Sequence, residues 1–449
     1  MKKVYNLIVI FLFMGMLISC GTLNKGISTN LEEKTLNSLY SEVEKDVIFM
    51  RDTMHKKACG FFHFVTEEEW TNSCNELIED LNSKYMSNET IYYRINELLA
   101  KVRNSHTNIN PGFEVNLKYF PIGIGKIQND FRVGIIEKEY EKLIGAKLLK
   151  INEYTIEEVR DKYMKIESCE TEKHIEEKVF NQYPLEQTAL EYLEVVDGES
   201  ANFTFELENG EIETIIIKSG DIENYEFVKI GDKLLNYPPT SLRNVPEGQS
   251  EYYWYNIDEE NKAAYFQYNT CADSTITNRQ FNENFLNTSS MPVFSEFGDE
   301  MIEFMKNNDN KFDKFIIDLR NNDGGYGKLL NSWIMKNKEY LSSKDIRVLI
   351  GPATASAALL AVEDLLNNFN ITIYGEETSG PVGGFTEVAM YKSPNTDSVF
   401  FYSVSETGNS SLIERADDEF RGIIPDVFVQ TSYEEFINGI DAVYNKALE

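Results

Sequence analysis

Among the residues whose type and spacing suit chemistry, the clearest run is Val348-Leu349-Ile350-Gly351-Pro352-Ala353-Thr354-Ala355-Ser356-Ala357-Ala358-Leu359-Leu360. An apolar stretch suited to a buried strand passes through Gly-Pro into small residues and then into a helical pattern. Ser356 therefore falls at a helix N-terminus. The unpaired amides and positive dipole end there favour developing negative charge, and Ala355 and Ala357 leave room for a substrate. Serine in this place is a candidate nucleophile for acyl transfer, but it is also a common helix cap, and on this segment alone capping is the more frequent role. A second run, Phe315-Ile316-Ile317-Asp318-Leu319-Arg320-Asn321-Asn322-Asp323-Gly324-Gly325, reads as a buried strand, a polar turn and paired glycines. Without side chains, Gly324 and Gly325 let backbone amides approach a ligand as closely as an oxyanion hole requires, although a glycine-rich loop after a strand has the same appearance.

The elements that must carry these residues follow from periodicity. From about Glu32 to Arg103, apolar residues recur at helical spacing: Leu36, Leu39, Tyr40, Val43, Val47 and Met50 on one face, Ile91, Ile95, Leu98, Leu99 and Val102 on another. Ser87 or Asn88 can cap the later helix, which puts Ser105-His106-Thr107 at or just beyond its end. From about Asn116 to Ser219 short β-like runs take over, including Phe120 to Ile127, Phe131 to Ile136, Lys147 to Ile151, Asn202 to Leu207 and Thr214 to Ile217. From about Glu251 onward strands alternate with helices, with Ala263 to Tyr268, Phe315 to Leu319, Val348 to Ile350 and Thr372 to Tyr374 as strands. This is the pattern of a layered α/β domain with parallel pairing. The expected fold class is a multidomain α/β (α+β) chain with a leader at 1–19, a tether at 20–31, a helical domain at 32–115, a β module at 116–225 and an α/β core at 226–449.

The 449 residues suffice for two or three domains, and 42% hydrophobic and 12% aromatic content excludes a disordered tail. A formal net charge of -31 spread along the chain argues against a nucleic-acid partner, whose phosphates require a basic face. Met1-Lys2-Lys3 followed by the apolar run Leu7 to Ile18 is too short for a membrane span and reads as a secretion signal. It ends in Leu17-Ile18-Ser19-Cys20-Gly21, which resembles a bacterial lipobox. The resemblance implies a lipid on Cys20 and a body held at the extracytoplasmic face of a membrane; the alternative is an ordinary signal peptide. Cys59, Cys74, Cys169 and Cys271 do not have metal-ligand spacing and read as core residues, with a Cys59–Cys74 bridge as the alternative. No metal cluster, phosphate loop or dinucleotide fingerprint appears in the sequence, so no cofactor is implied.

Taken together, the motifs resemble the catalytic core of C-terminal-processing (tail-specific) and tricorn-core serine peptidases. Asp318 to Gly325 matches Asp-Leu-Arg-x-Asn-x-Gly-Gly, and Thr354-Ala355-Ser356-Ala357 matches the turn that carries the nucleophile. Gly375-Glu376-Glu377-Thr378-Ser379-Gly380 follows the next strand. Glu419-Phe420-Arg421-Gly422-Ile423-Ile424-Pro425-Asp426 stands near the end. Gly145 to Asn152 with Thr155 to Val159 resembles part of a PDZ domain, with Glu153 where that family has glycine and a charged stretch at about Asp161 to Asn181 that looks inserted. Gly380 to Thr386 contains no lysine, so the lysine-dependent branch does not fit, whereas Asn104-Ser105-His106-Thr107 resembles the Asp-x-His-Thr signature of the tricorn-like branch, with Asn104 for aspartate. The resemblance implies hydrolysis of unfolded or short polypeptides by Ser356, with His106 as base. It implies that Ser105 and Glu419 (or Glu414) orient the network, and that the amides of Ala357 and of Gly324 or Gly325 form the oxyanion hole. Departures at Asn104 and Glu153 leave open an inactive binding protein on the same fold, and an esterase-like acyl hydrolase is a third reading.

Overall fold

The computed structural model describes residues 29–181, 183–233, 245–276, 291–407, 411–418 and 420–449. Cys20 and its leader, and Glu419, lie outside the described residues. The N-terminal part folds as three helices, Thr29–Lys57, Glu67–Ser83 and Asn88–Ala100. Each of the last two starts where its sequence supplies a cap. Thr66 and Glu69 form a reciprocal capping box, and the Ser87 side chain accepts from the Thr90 amide. In the second helix Trp70, Cys74, Leu77 and Leu81 recur at helical spacing and are all buried against Val43, Val47 and Met50 of the first. At about 1.5–3 kcal/mol for each large apolar side chain removed from water, this face is what holds the helices together.

That core has a contributor from far along the chain. The hairpin Phe385–Lys392 and Val399–Glu406 pairs with Asn108–Asn110 in a three-stranded sheet, and its Tyr391, Phe400 and Tyr402 pack into the helical core. The β module forms a second sheet in the order Pro184–Glu186, Tyr119–Ile127, Asp130–Glu137, Lys147–Ile151, Ser200–Glu206 and Ile212–Lys218. Gly145 (φ +82°) turns the chain into the Lys147–Ile151 strand, which leads through Tyr154–Thr155 into the helix Ile156–Tyr163. The positive φ of the intervening turn falls on Asn152 (φ 51°), whose side chain is bonded to Val195 O and Asn202 N, so Glu153 does not need a glycine's freedom. The charged stretch read as an insertion contains a helix, Glu172–Val179.

The third sheet runs Tyr253–Asp258, Ala263–Tyr268, Lys314–Asp318, Asp345–Ile350, Ile371–Gly375 and Val427–Phe428; the first pair is antiparallel and the rest are parallel. Helices Phe294–Asn307, Lys328–Leu341 and Ala357–Asn368 cover one face, and Ala442–Leu448 the other. Parallel strands place all their carboxyl ends on one edge, where α/β folds bind ligands, and the loops carrying Gly324, Ser356 and Thr378 all leave from that edge. Just past the Lys314–Asp318 strand, Arg320 forms buried ion pairs to Asp318 (2.6 Å) and to Asp441 (2.8 Å) of the C-terminal segment. Among the described residues the four cysteines are free, so the Cys59–Cys74 bridge is not formed, and no helix is long and apolar enough to cross a membrane.

Candidate functional site

Ser356 occupies a sharp strand-to-helix turn. It precedes the helix Ala357–Asn368, its φ is 51° and ψ -124°, and its side chain makes no capping hydrogen bond. A non-glycine residue in that region costs about 1–3 kcal/mol and persists only where its surroundings over-determine it. Those surroundings can be named. Thr354 Oγ1 donates to Leu319 O (2.8 Å) and accepts from Gly351 N (3.0 Å), and Ala355 N donates to Asn322 O (3.0 Å). Gly324 (φ +113°) lies so close that a Cβ there would meet Ser356 Cβ at 2.7 Å and Ala357 N at 2.9 Å. On the other flank Gly380 leaves only 2.8 Å between its notional Cβ and Ala355 Cα.

The amide donors differ in what they already bind. Gly324 N–H donates to Asn322 Oδ1 (2.9 Å), which withdraws it from any ligand, whereas the amides of Gly325 and Ala357 meet no acceptor among the described residues. Gly325 (φ +129°) is pressed on Cys271, whose carbonyl takes the Tyr326 amide and whose amide donates to Gly324 O. Two open amides beside one serine are the equipment for holding an oxyanion.

His106 is half-buried in a second group of residues, centred on Asn104. Asn104 Oδ1 accepts from His106 N (3.1 Å) and Ser403 Oγ (2.9 Å), and its Nδ2 donates to Phe385 O (3.0 Å) and faces Glu170 Oε1 (3.4 Å). Nδ2 thus points at two acceptors, a place an aspartate could not fill while ionised, which accounts for the asparagine. Ser105 donates to Glu170 Oε1 through its amide (3.0 Å) and hydroxyl (3.3 Å). Burial holds the His106 pKa below its ordinary 6.5; the Glu170 carboxylate acts in the opposite sense, and His174 and Lys178 add to the depression. The imidazole is therefore neutral, and able to accept a proton, at pH 7.

Ser356, Gly324, Gly325 and Ala357 thus form one group, and His106, Ser105 and Asn104 another. The segment Gly380 to Phe385 joins them, packing on Ala355 at one end and accepting from Asn104 at the other. Five residues span at most about 18 Å. The segment and the loop before it are tied to the fourth motif: Val382 N donates to Arg421 O (2.8 Å), and Thr378 Oγ1 accepts from Ile423 N (2.9 Å). Glu414 is exposed in the 3-10 turn Ile413–Arg415. His55 Nδ1 donates to Arg51 O (3.0 Å), and His63 is exposed among Phe64, Phe385 and Phe420. The acid beside His106, Glu170, was not singled out by sequence reasoning; its only local signal was a carboxylate in a charged stretch. Among the described residues no group of His, Cys, Asp and Glu could hold a metal ion.

No family model matches the sequence, and no curated protein does. Solved structures do. Mature CPAF complexed with lactacystin aligns with a TM-score of 0.61 at 14% identity, covering 91% of this chain and 97% of that one. A second structure, of mature CPAF, aligns equally well, with a TM-score of 0.61 at 14% identity over 91% and 96% of the two chains. Structures of the photosystem II D1 C-terminal processing protease and the tricorn protease are also matched, at TM-scores of 0.36 and 0.39 and 14% identity.

Proposed function

We propose that this chain is a serine peptidase of the tail-specific and tricorn-core kind, sharing with mature CPAF its fold over nine-tenths of its length. The observation that carries the reading is the backbone of Ser356: φ 51° and ψ -124° on a strand-to-helix turn, with no capping bond to explain the serine. A serine that merely capped the helix would have an extended backbone and a side chain bonded to an amide two or three residues on. A strained turn that lifts a hydroxyl clear of the helix is what a nucleophile requires.

In the proposed reaction Ser356 Oγ attacks the peptide carbonyl while its proton passes to His106 Nδ1 or Nε2. The carbonyl oxygen, now negative, is held by the amides of Gly325 and Ala357, and losing one such donor typically costs about a hundredfold or more in rate. Collapse expels the amine, which takes the proton from the imidazolium, and leaves Ser356 acylated. Water, deprotonated by His106, then releases the acid. Ser105 steadies the turn before His106, and Glu419 is proposed as the further acid of the network. Unfolded or short polypeptides are the proposed substrates. A lipid on Cys20, holding the enzyme at the outer face of a membrane, remains part of the proposal; labelling with a fatty-acid analogue tests it, and an unlabelled chain in a lipoprotein-processing host would sink it. For the chemistry, Ser356→Ala should retain its melting temperature within a few degrees and lose hydrolysis of denatured protein. Cleavage undiminished in that variant would remove the nucleophile.

A further inference from the structure

We infer that Glu170, which lies in none of the four peptidase-like motifs, is a positioning residue for His106, gripping the turn before it through its carboxylate and acting on the imidazole through its charge, with the His174 ring against its other oxygen. The inference rests on the reading of His106 as base.

The Glu170 side chain is 3% exposed, and burying a carboxylate so completely is costly unless its lone pairs are met. Those of Oε1 are met from the histidine turn itself, while among the described residues Oε2 has only the His174 ring beside it. Oε1 accepts from Ser105 N (3.0 Å) and Ser105 Oγ (3.3 Å) and faces Asn104 Nδ2 (3.4 Å), and Oε2 lies 3.2 Å from His174 Nδ1. The main chain is held as well, since Arg103 Nη2 donates to Glu170 O (2.9 Å). Residues 103, 104 and 105 are thus all fastened to one glutamate brought in by the charged stretch. Thr171 follows it directly and caps the helix Glu172–Val179, accepting from the His174 amide, so the helix start fixes both Glu170 and His174.

Among the described residues, three charged or titratable groups act on His106. Glu170 raises its proton affinity, and His174 and Lys178 lower it, Lys178 being itself ion-paired to Glu167. Arg103 is turned away, its guanidinium lying over the Phe64 ring at 4.8 Å. Burial raises the Glu170 pKa, but His174 and the Ser105 amide more than offset this, so the net direction is downward and the carboxylate is ionised at neutral pH. A group serving only as a strut would hold the turn equally well as an amide. A group acting through charge would not.

The test is the titration of His106 in the full chain, followed by NMR of histidine labelled at Cε1, alongside the pH profile of kcat/KM on an unfolded polypeptide. Glu170→Gln keeps the length and an acceptor oxygen but removes the charge. It should move the His106 midpoint down by about one pH unit, the usual size of a neighbouring opposite charge. The acid limb of kcat/KM should move with it, while the maximum falls. His174→Gln should move the midpoint the opposite way, and supplies the answer if Glu170→Gln does not fold. A midpoint unmoved in the folded variants overturns the inference, whatever the activity does. A midpoint that moves while the kinetic limb stays still supports the role of Glu170 and instead overturns His106 as the base.

Discussion

Gly324→Ala probes the Ser356 turn without replacing Ser356 or His106. The new Cβ would lie 2.7 Å from Ser356 Cβ, 2.9 Å from Ala357 N and 3.1 Å from Ala355 O. Carbon atoms sit comfortably at about 3.5–4.0 Å, so Ser356 or the glycine loop must retreat by roughly 1 Å. The backbone, at φ +113°, adds a strain of about 1–3 kcal/mol for a residue with a side chain. A displacement of that size at a reacting atom costs about a hundredfold in rate. The expectation is a kcat/KM on denatured protein at least about a hundredfold below wild type, in a chain that still folds. Gly210→Ala is the control. Gly210 also has positive φ (+82°) but nothing within 4 Å of its notional Cβ, so it should lose stability alone. Should Gly324→Ala lose stability as Gly210→Ala does and keep full turnover, the placing of Ser356 at the reaction centre would be wrong.

Asn104→Asp, although it restores the residue of the tricorn-like signature, should destabilise the protein at pH 7 by about 2 kcal/mol or more, because a carboxylate would replace the donor that faces Phe385 O and Glu170. Equal denaturation midpoints for the two proteins would show that the amide is not needed. The Glu177 pKa is pushed up to about 7 by burial and then by the Glu376 carboxylate. Raised above its unfolded value of about 4.5, this group contributes stability that is present below about pH 4.5 and lost as pH rises through about 7. Glu177→Gln should therefore raise the melting temperature at pH 8 and have little effect near pH 5, and a gain independent of pH would contradict the linkage.

Much of this architecture was legible because period and punctuation agree. The strands Lys147–Ile151 and Ala263–Tyr268 are bounded as their apolar patterns predict, and the helix after Ser356 begins one residue later than its pattern suggests. What was not legible depended on the tertiary fold. Nothing in Phe385 to Glu406 says that Tyr391, Phe400 and Tyr402 belong to a core built some three hundred residues earlier. Glu170 meets Ser105 across 65 residues, within a stretch whose charge suggested only an insertion. Gly324 and Gly325 look alike in the motif, and only the Asn322 side chain, folding back on the first amide, tells them apart. The same is true of Ser356, whose type suits a cap and whose backbone conformation, invisible in sequence, does not.

The central claim is that Ser356 becomes acylated, and the most direct measurement is the intact and peptide mass of the full chain after brief exposure to an activated acyl substrate and an acid quench. The account predicts one added acyl group on the peptide containing Ser356, absent in Ser356→Ala, and accumulating when His106→Ala slows its removal relative to its formation by a strongly activated acyl donor. An unmodified Ser356 alongside continued polypeptide cleavage, or the acyl group found on another residue, would contradict it.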